Sequence, residues 1–112
     1  EQRAPTGGYV HLFSSPGLRE RRFVAQEGAL RFEIRCDPKD DFGVFPDAAA
    51  ARALVARLAA GRRVLNLFSY TGGFALAALR GGAAHVTNVD ASKAMLTWSK
   101  RNAELNAVDF AV

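Results

Sequence analysis

Two features of the sequence have residue types and spacing that suit ligand chemistry. The first is Phe68-Ser69-Tyr70-Thr71-Gly72-Gly73, a polar, glycine-bearing stretch between an apolar run and an apolar helix start. The second is Asp90, about 18 residues beyond Gly72 and directly after His85-Val86-Thr87-Asn88-Val89. A strand that turns through glycines into a helix offers unpaired amides and the positive end of a helix dipole, and both favour an anion. An acid closing the next strand can accept hydrogen bonds from both hydroxyls of a ribose. A dinucleotide site needs a glycine early in the turn so that a pyrophosphate can lie against the helix. Bulky residues stand there instead, which disfavours NAD or FAD and suits a smaller zwitterionic amino-acid tail. No Gly-Lys-Ser or Gly-Lys-Thr sequence is present, so a P-loop is excluded.

These residues need a scaffold, and the hydrophobic pattern supplies one. Val64, Leu65, Leu67 and Phe68 form a nearly continuous apolar run, as expected of a central parallel strand covered on both faces. Asn66 interrupts it, and a buried amide needs partners, either in the following turn or on a ligand. Phe74 to Arg80 reads as a buried helix ended by Gly81-Gly82, and His85 to Val89 as a second strand. Ser92 is placed to cap a further helix, with Ala91, Ala94, Met95, Trp98, Asn102 and Leu105 on one stripe and Lys93, Lys100 and Glu104 opposite. Met95 and Trp98 read as core residues. Val108 to Val112 are expected to begin a third parallel strand.

Upstream, Ala48 to Ala60 has strong helix propensity, with Asp47 as its expected cap. Ala51, Leu54, Val55 and Leu58 recur at helical spacing and are expected to pack on the sheet, with Arg52 and Arg57 pointing elsewhere. Phe23 to Gln26, a Glu27-Gly28 turn and Ala29 to Arg35 read as a hairpin. Leu30, Phe32 and Ile34 alternate there with Arg31, Glu33 and Arg35, so one face is buried. Tyr9 to Phe13 is a further short strand that includes His11, and residues 1–8 read as an extended or mobile leader. The expected fold is α/β, a doubly wound parallel sheet preceded by a small antiparallel β-hairpin region. Residues 1–42 are assigned to the leader and hairpin, and 43–112 to the ligand-binding part.

Composition bounds the rest. A chain of 112 residues, 49% apolar and 23% charged, fits one soluble domain with a modest core. No window holds the roughly 18 uncharged apolar residues of a spanning helix, and the N-terminus lacks a signal pattern, so a cytoplasmic location is expected. Cys36 is the only cysteine and reads as an incidental thiol; with His11 and His85 it gives no metal-ligand spacing, and no metal is expected. A net charge of +4 leans towards a polyanion such as RNA.

Leu65-Asn66-Leu67-Phe68-Ser69-Tyr70-Thr71-Gly72-Gly73-Phe74, together with Val86-Thr87-Asn88-Val89-Asp90-Ala91-Ser92-Lys93 and Trp98…Arg101-Asn102…Leu105-Asn106, resembles class I S-adenosylmethionine-dependent methyltransferases of the kind that modify bacterial large-subunit (23S) ribosomal RNA. Gly43-Val44-Phe45-Pro46-Asp47…Arg52 resembles that family's lead-in, departing at Ala48 and Ala49, where many members have Gln and Arg. The resemblance covers roughly residues 28–112 and implies a Rossmann-like fold. It also implies S-adenosyl-L-methionine as cofactor, with Phe68, Ser69, Tyr70, Thr71, Gly72 and Gly73 around its methionine part, Asp90 on its ribose, and Ala91 and Ser92 beside its adenine. In that family the adenine-contacting acid after the third strand and the substrate motif after the fourth lie beyond Val112. The chain is therefore expected to be an N-terminal portion, with no catalytic residue to name. Two other readings stay open at this point: a nicotinamide-nucleotide oxidoreductase, and a noncatalytic RNA-binding module resting on Arg19-Glu20-Arg21-Arg22 and the hairpin. Oligomeric state is not legible.

Overall fold

Parallel pairing organises the C-terminal half of this computed structural model, which describes residues 2–3, 9–10, 22–36 and 42–112. Strand β5 (Arg63–Leu67) pairs with β6 (His85–Val89) in parallel, in register from Arg63↔His85 to Leu67↔Val89. Helix α2 (Gly73–Arg80) makes the crossover between them. On the far side of β6, Ala111 bridges Thr87 in parallel, its N–H donating to Val86 O and its carbonyl accepting from Asn88 N. The third strand begins there, as expected.

The hairpin is formed by β3 (Arg22–Glu27) and β4 (Leu30–Arg35). Its turn is Gly28-Ala29, one residue later than the sequence reading, which leaves Glu27 at the end of a strand with its carboxylate free to pair elsewhere. Leu30, Phe32 and Ile34 are buried, as their alternation requires. They share one core cluster with Ala75 to Ala78 of α2, Val86, Ala103 and Phe110. A further pair, β1 (Gln2–Arg3) with β2 (Tyr9–Val10), is antiparallel. Part of the expected leader thus lies in a strand, while His11, Arg19 to Arg21 and the end of the expected Tyr9–Phe13 strand fall outside the described residues.

Two helices depart from the expected faces. Helix α1 (Ala49–Leu58) follows a single 3₁₀ turn at Pro46–Ala48, and no side chain caps it. Asp47 lies inside that turn because Pro46 starts a turn at its own position. The buried side of α1 carries Arg52, Val55 and Ala56, continued by Ala59 at its C-cap, whereas Leu54 and Leu58 are exposed. A wheel that counts only apolar residues misses this, because Arg52 is inward and ion-paired. In helix α3 (Lys93–Leu105), Ser92 caps the start, accepting from Met95 N, as expected. Its buried stripe runs through Trp98, Ser99, Asn102 and Ala103, rotated from the apolar stripe towards polar residues.

Those polar residues have work at a strand edge. Asn102 Oδ1 accepts from Glu33 N at 2.8 Å, and Asn106 Oδ1 accepts from Arg31 N at 2.9 Å while its Nδ2 donates to Arg31 O at 2.7 Å. Two side-chain amides one helical turn apart thereby satisfy alternate backbone groups of β4, in place of a neighbouring strand.

The β5–β6 sheet is covered on one face only among the described residues. Leu65 is 63% exposed and Leu67 55%, and Val89 is exposed beside them. This corrects the expectation of cover on both faces, which a continuous apolar run cannot distinguish from an uncovered apolar face. No described helix is long and apolar enough to cross a membrane.

Next to the third strand, Lys100 Nζ donates to Asp109 Oδ1 at 3.1 Å and to Phe110 O. The Lys100 hydrogen bond, and secondarily the Phe110 N–H, hold the Asp109 carboxyl below its usual range. A depressed carboxylate adds stability above its unfolded value and loses it as pH falls through its folded one. Asp109→Asn is therefore expected to lower the urea midpoint slightly at neutral pH and to match the unaltered chain in strong acid. Midpoints measured across pH check this, and a difference that persists in acid contradicts it.

Candidate functional site

The stretch from β5 to α2 is held in an unusual backbone. Phe68 and Tyr70 both have φ 51°, a left-handed conformation that bulky residues rarely adopt and that costs roughly 1–3 kcal/mol each. Specific bonds hold it there. Ser69 N donates to Val89 O at 3.0 Å, tying the turn to β6, and Tyr70 N donates to Asp90 Oδ2 at 2.9 Å. Asp90 Oδ1 accepts from Ser92 N at 2.8 Å. One carboxylate thus joins the first turn to the start of α3, which brings Phe68 to Gly73 and Asp90 to Ser92 to the same end of the sheet. A carboxylate offers about four acceptor sites, and among the described residues two of those on Asp90 are used.

The two glycines of the turn let the backbone pack closely. Gly72 caps α2 at φ 83°, and a Cβ on it would lie 3.0 Å from Ser99 Cβ and 3.2 Å from Asn88 Nδ2. A side chain on Gly73 would meet Arg52 Cδ at 3.3 Å. Both close approaches are to the chain itself, so the missing side chains let α2 sit tightly against Ser99, Asn88 and Arg52. No side chain caps α2, so the amides of its first turn keep their donors. Asn66 resolves as structural, its Nδ2 donating to Asn88 Oδ1 at 2.8 Å across the two strands.

The lead-in loop is latched onto the turn. Gly43 N donates to Tyr70 Oη at 3.0 Å, and Thr71 Oγ1 donates to Gly43 O at 2.5 Å. Thr71 is therefore buried against its own chain. Phe45 stacks on Tyr70 with ring centroids 4.9 Å apart, and Tyr70 faces Trp98 at 6.4 Å. Between loop and turn lies a cleft of about 130 Å³, lined by Val44, Phe45, Ala48 and Arg52 on one side and Phe68 to Thr71, Gly73 and Phe74 on the other. Ser69 Oγ is buried and has no hydrogen-bond partner among the described residues. Phe68 is 92% exposed at the rim. No group of three or more potential metal ligands occurs among the described residues.

Sequence reasoning did not single out Gly43, which latches the loop to the turn, or Arg52, which lines the cleft. The signal was present in the lead-in motif, which contains both, but neither has an apolar side chain that a wheel would place.

Comparison with known proteins gives the family of the chain. The model of the family described as S-adenosylmethionine-dependent methyltransferase matches residues 11–112. Ribosomal RNA large subunit methyltransferase K of Neisseria meningitidis is 47% identical over 100 residues, covering 89% of this chain and 28% of that protein. Ribosomal RNA large subunit methyltransferase K/L of Magnetococcus marinus is 41% identical over 106 residues, 95% of this chain and 14% of that protein. Among solved structures, a SAM-dependent methyltransferase from Agrobacterium tumefaciens superposes with a TM-score of 0.81 at 30% identity, over 94% of this chain and 34% of that one. The chain thus spans under a third of the curated relatives it matches.

Proposed function

Because this chain belongs to the family of S-adenosylmethionine-dependent methyltransferases, we propose that it supplies the cofactor-binding part of an enzyme that methylates RNA, with ribosomal RNA as substrate class. The names of its relatives support that class, and one structural neighbour was solved in complex with SAH. Residues 43–112 carry the cofactor site, and of residues 1–42 the described hairpin Arg22–Arg35 reaches it through Glu27.

The observation that carries the reading is the Asp90 junction. Its carboxylate is fixed by Tyr70 N and Ser92 N, so its remaining acceptor sites are preorganised for the two hydroxyls of a ribose. Phe68 to Gly73 surround the amino-acid tail, the α2 amides meet its carboxylate, and Ala91 and Ser92 lie beside the adenine. The uncapped helix start and the orphan Ser69 Oγ fit such a zwitterion. When bound, the cofactor supplies a sulfonium methyl for in-line transfer to a nucleophile. The residues of this chain contribute position: they fix the donor so that an acceptor can approach it in line.

Asp90→Ala is expected to weaken S-adenosylmethionine binding about 10- to 100-fold, the loss of two charge-assisted hydrogen bonds, as read by calorimetry. NAD should bind more weakly than S-adenosylmethionine to the unaltered chain. Tighter NAD binding would favour an oxidoreductase instead. RNA binding with a steep salt dependence, alongside small-ligand binding untouched by Asp90→Ala and Gly72→Val, would favour a noncatalytic module.

A further inference from the structure

Arg52 is 3% exposed, yet its hydrogen bonding is incomplete. Nε donates to Glu27 Oε2 at 2.8 Å, and Nη2 donates to Glu27 Oε1 at 2.6 Å and to Phe45 O at 2.9 Å. A guanidinium has five N–H donors. These three bonds use those of Nε and Nη2, so both donors of Nη1 are left without a partner among the described residues. Nη1 is also the nitrogen on the Gly73 side, 3.9 Å from where a Gly73 Cβ would lie. Arg52 and Gly73 both line the cleft beside the Phe68–Thr71 turn. Ser69 lines the same cleft, is 5% exposed, and its Oγ has no partner among the described residues. Arg52 and Ser69, each with donors unused among the described residues, therefore line one cleft together with the uncapped start of α2.

We propose that Arg52 Nη1 and Ser69 Oγ recognise the carboxylate of the cofactor's amino-acid tail, completing the anion site that the α2 amides begin. The inference rests on the S-adenosylmethionine reading of this cleft. Glu27 holds the guanidinium side-on through Nε and Nη2, which leaves the Nη1 donors for the tail. The hairpin thereby takes part in cofactor recognition through a strand-terminal carboxylate. The geometry also explains why an arginine, and not an apolar residue, faces inward from α1: a lysine has one nitrogen and cannot hold Glu27, the Phe45 carbonyl and a ligand carboxylate in one plane.

The test compares S-adenosylhomocysteine with 5′-methylthioadenosine, which shares the nucleoside and thioether but lacks the amino-acid carboxylate. In the unaltered chain and in Arg52→Gln and Ser69→Ala, calorimetry is expected to show S-adenosylhomocysteine weakened about tenfold or more by the arginine change and severalfold by the serine change. Methylthioadenosine should change by less than about twofold. A role confined to holding the fold would weaken both ligands alike, and equal losses overturn the proposal, as does no loss for either. Should Arg52→Gln not fold, the Nε–H resonance of Arg52 in the unaltered chain gives the answer: it should shift with S-adenosylhomocysteine and stay in place with methylthioadenosine. Shifts of the same size with both ligands overturn the proposal. Failure of both ligands to bind the unaltered chain instead refutes the underlying cofactor reading.

Discussion

Gly43→Ala is expected to destabilise the chain by about 2–5 kcal/mol, combining backbone strain with overpacking, and to weaken cofactor binding along with it. Gly43 has φ 110°, a conformation closed to side chains. An added Cβ would also run into the Trp98 ring at Cζ2 and come within 2.7 Å of Glu33 O. Neither neighbour can yield. Trp98 is fully buried with its Nε1 donating to that same Glu33 carbonyl at 3.0 Å, and Glu33 lies in β4. Moving residue 43 away breaks its bonds with Tyr70 Oη and Thr71 Oγ1, and so releases one wall of the cleft. Urea midpoints and S-adenosylmethionine titrations measure the two losses. An alanine variant as stable as the unaltered chain would contradict the close packing of Gly43 on Trp98.

Asn102→Leu carries the second large effect. Its side chain is fully buried and bonds Glu33 N at 2.8 Å and Thr71 O at 3.0 Å, so leucine leaves two backbone groups without partners. At about 1–3 kcal/mol for each unsatisfied group, the expected cost is about 2–5 kcal/mol. Asn106→Leu makes a useful contrast. That residue bonds Arg31 N, Arg31 O and Asn102 O but nothing in the Phe68–Gly73 turn. Both variants should lose stability, and only Asn102→Leu should also lose cofactor affinity when measured under conditions where each is folded. Equal effects on affinity would show that Thr71 does not transmit the change.

What the sequence reveals and what it hides divide along contact distance. The turn, Asp90, the Ser92 cap and the Leu30-Phe32-Ile34 face are legible because each signal is local: a glycine pair, an acid at a fixed spacing, a hydroxyl before a helix, a period of two. The Arg52 pairing is not legible, because its partner Glu27 lies 25 residues away on another element. Hydrophobic periodicity assigns any arginine to the wet face, and in α1 that places the buried side wrongly. The asparagines of α3 stand out as Arg101-Asn102…Leu105-Asn106, but their partners on β4 are 69 and 75 residues away. Nothing local says that an amide will replace a strand. In β5 the apolar run marks a parallel strand correctly but does not count its covered faces.

The central claim is that the Phe68–Gly73 turn and the Asp90 junction together hold S-adenosylmethionine. Amide chemical shifts of the chain titrated with S-adenosylhomocysteine test it most directly. The largest changes should fall on residues 68–75 and 90–92, with only small ones at the hairpin turn and at Arg80. Changes centred instead on the groove between Gln26, Arg31, Arg80 and Asn106, or no changes at saturating ligand, would contradict it.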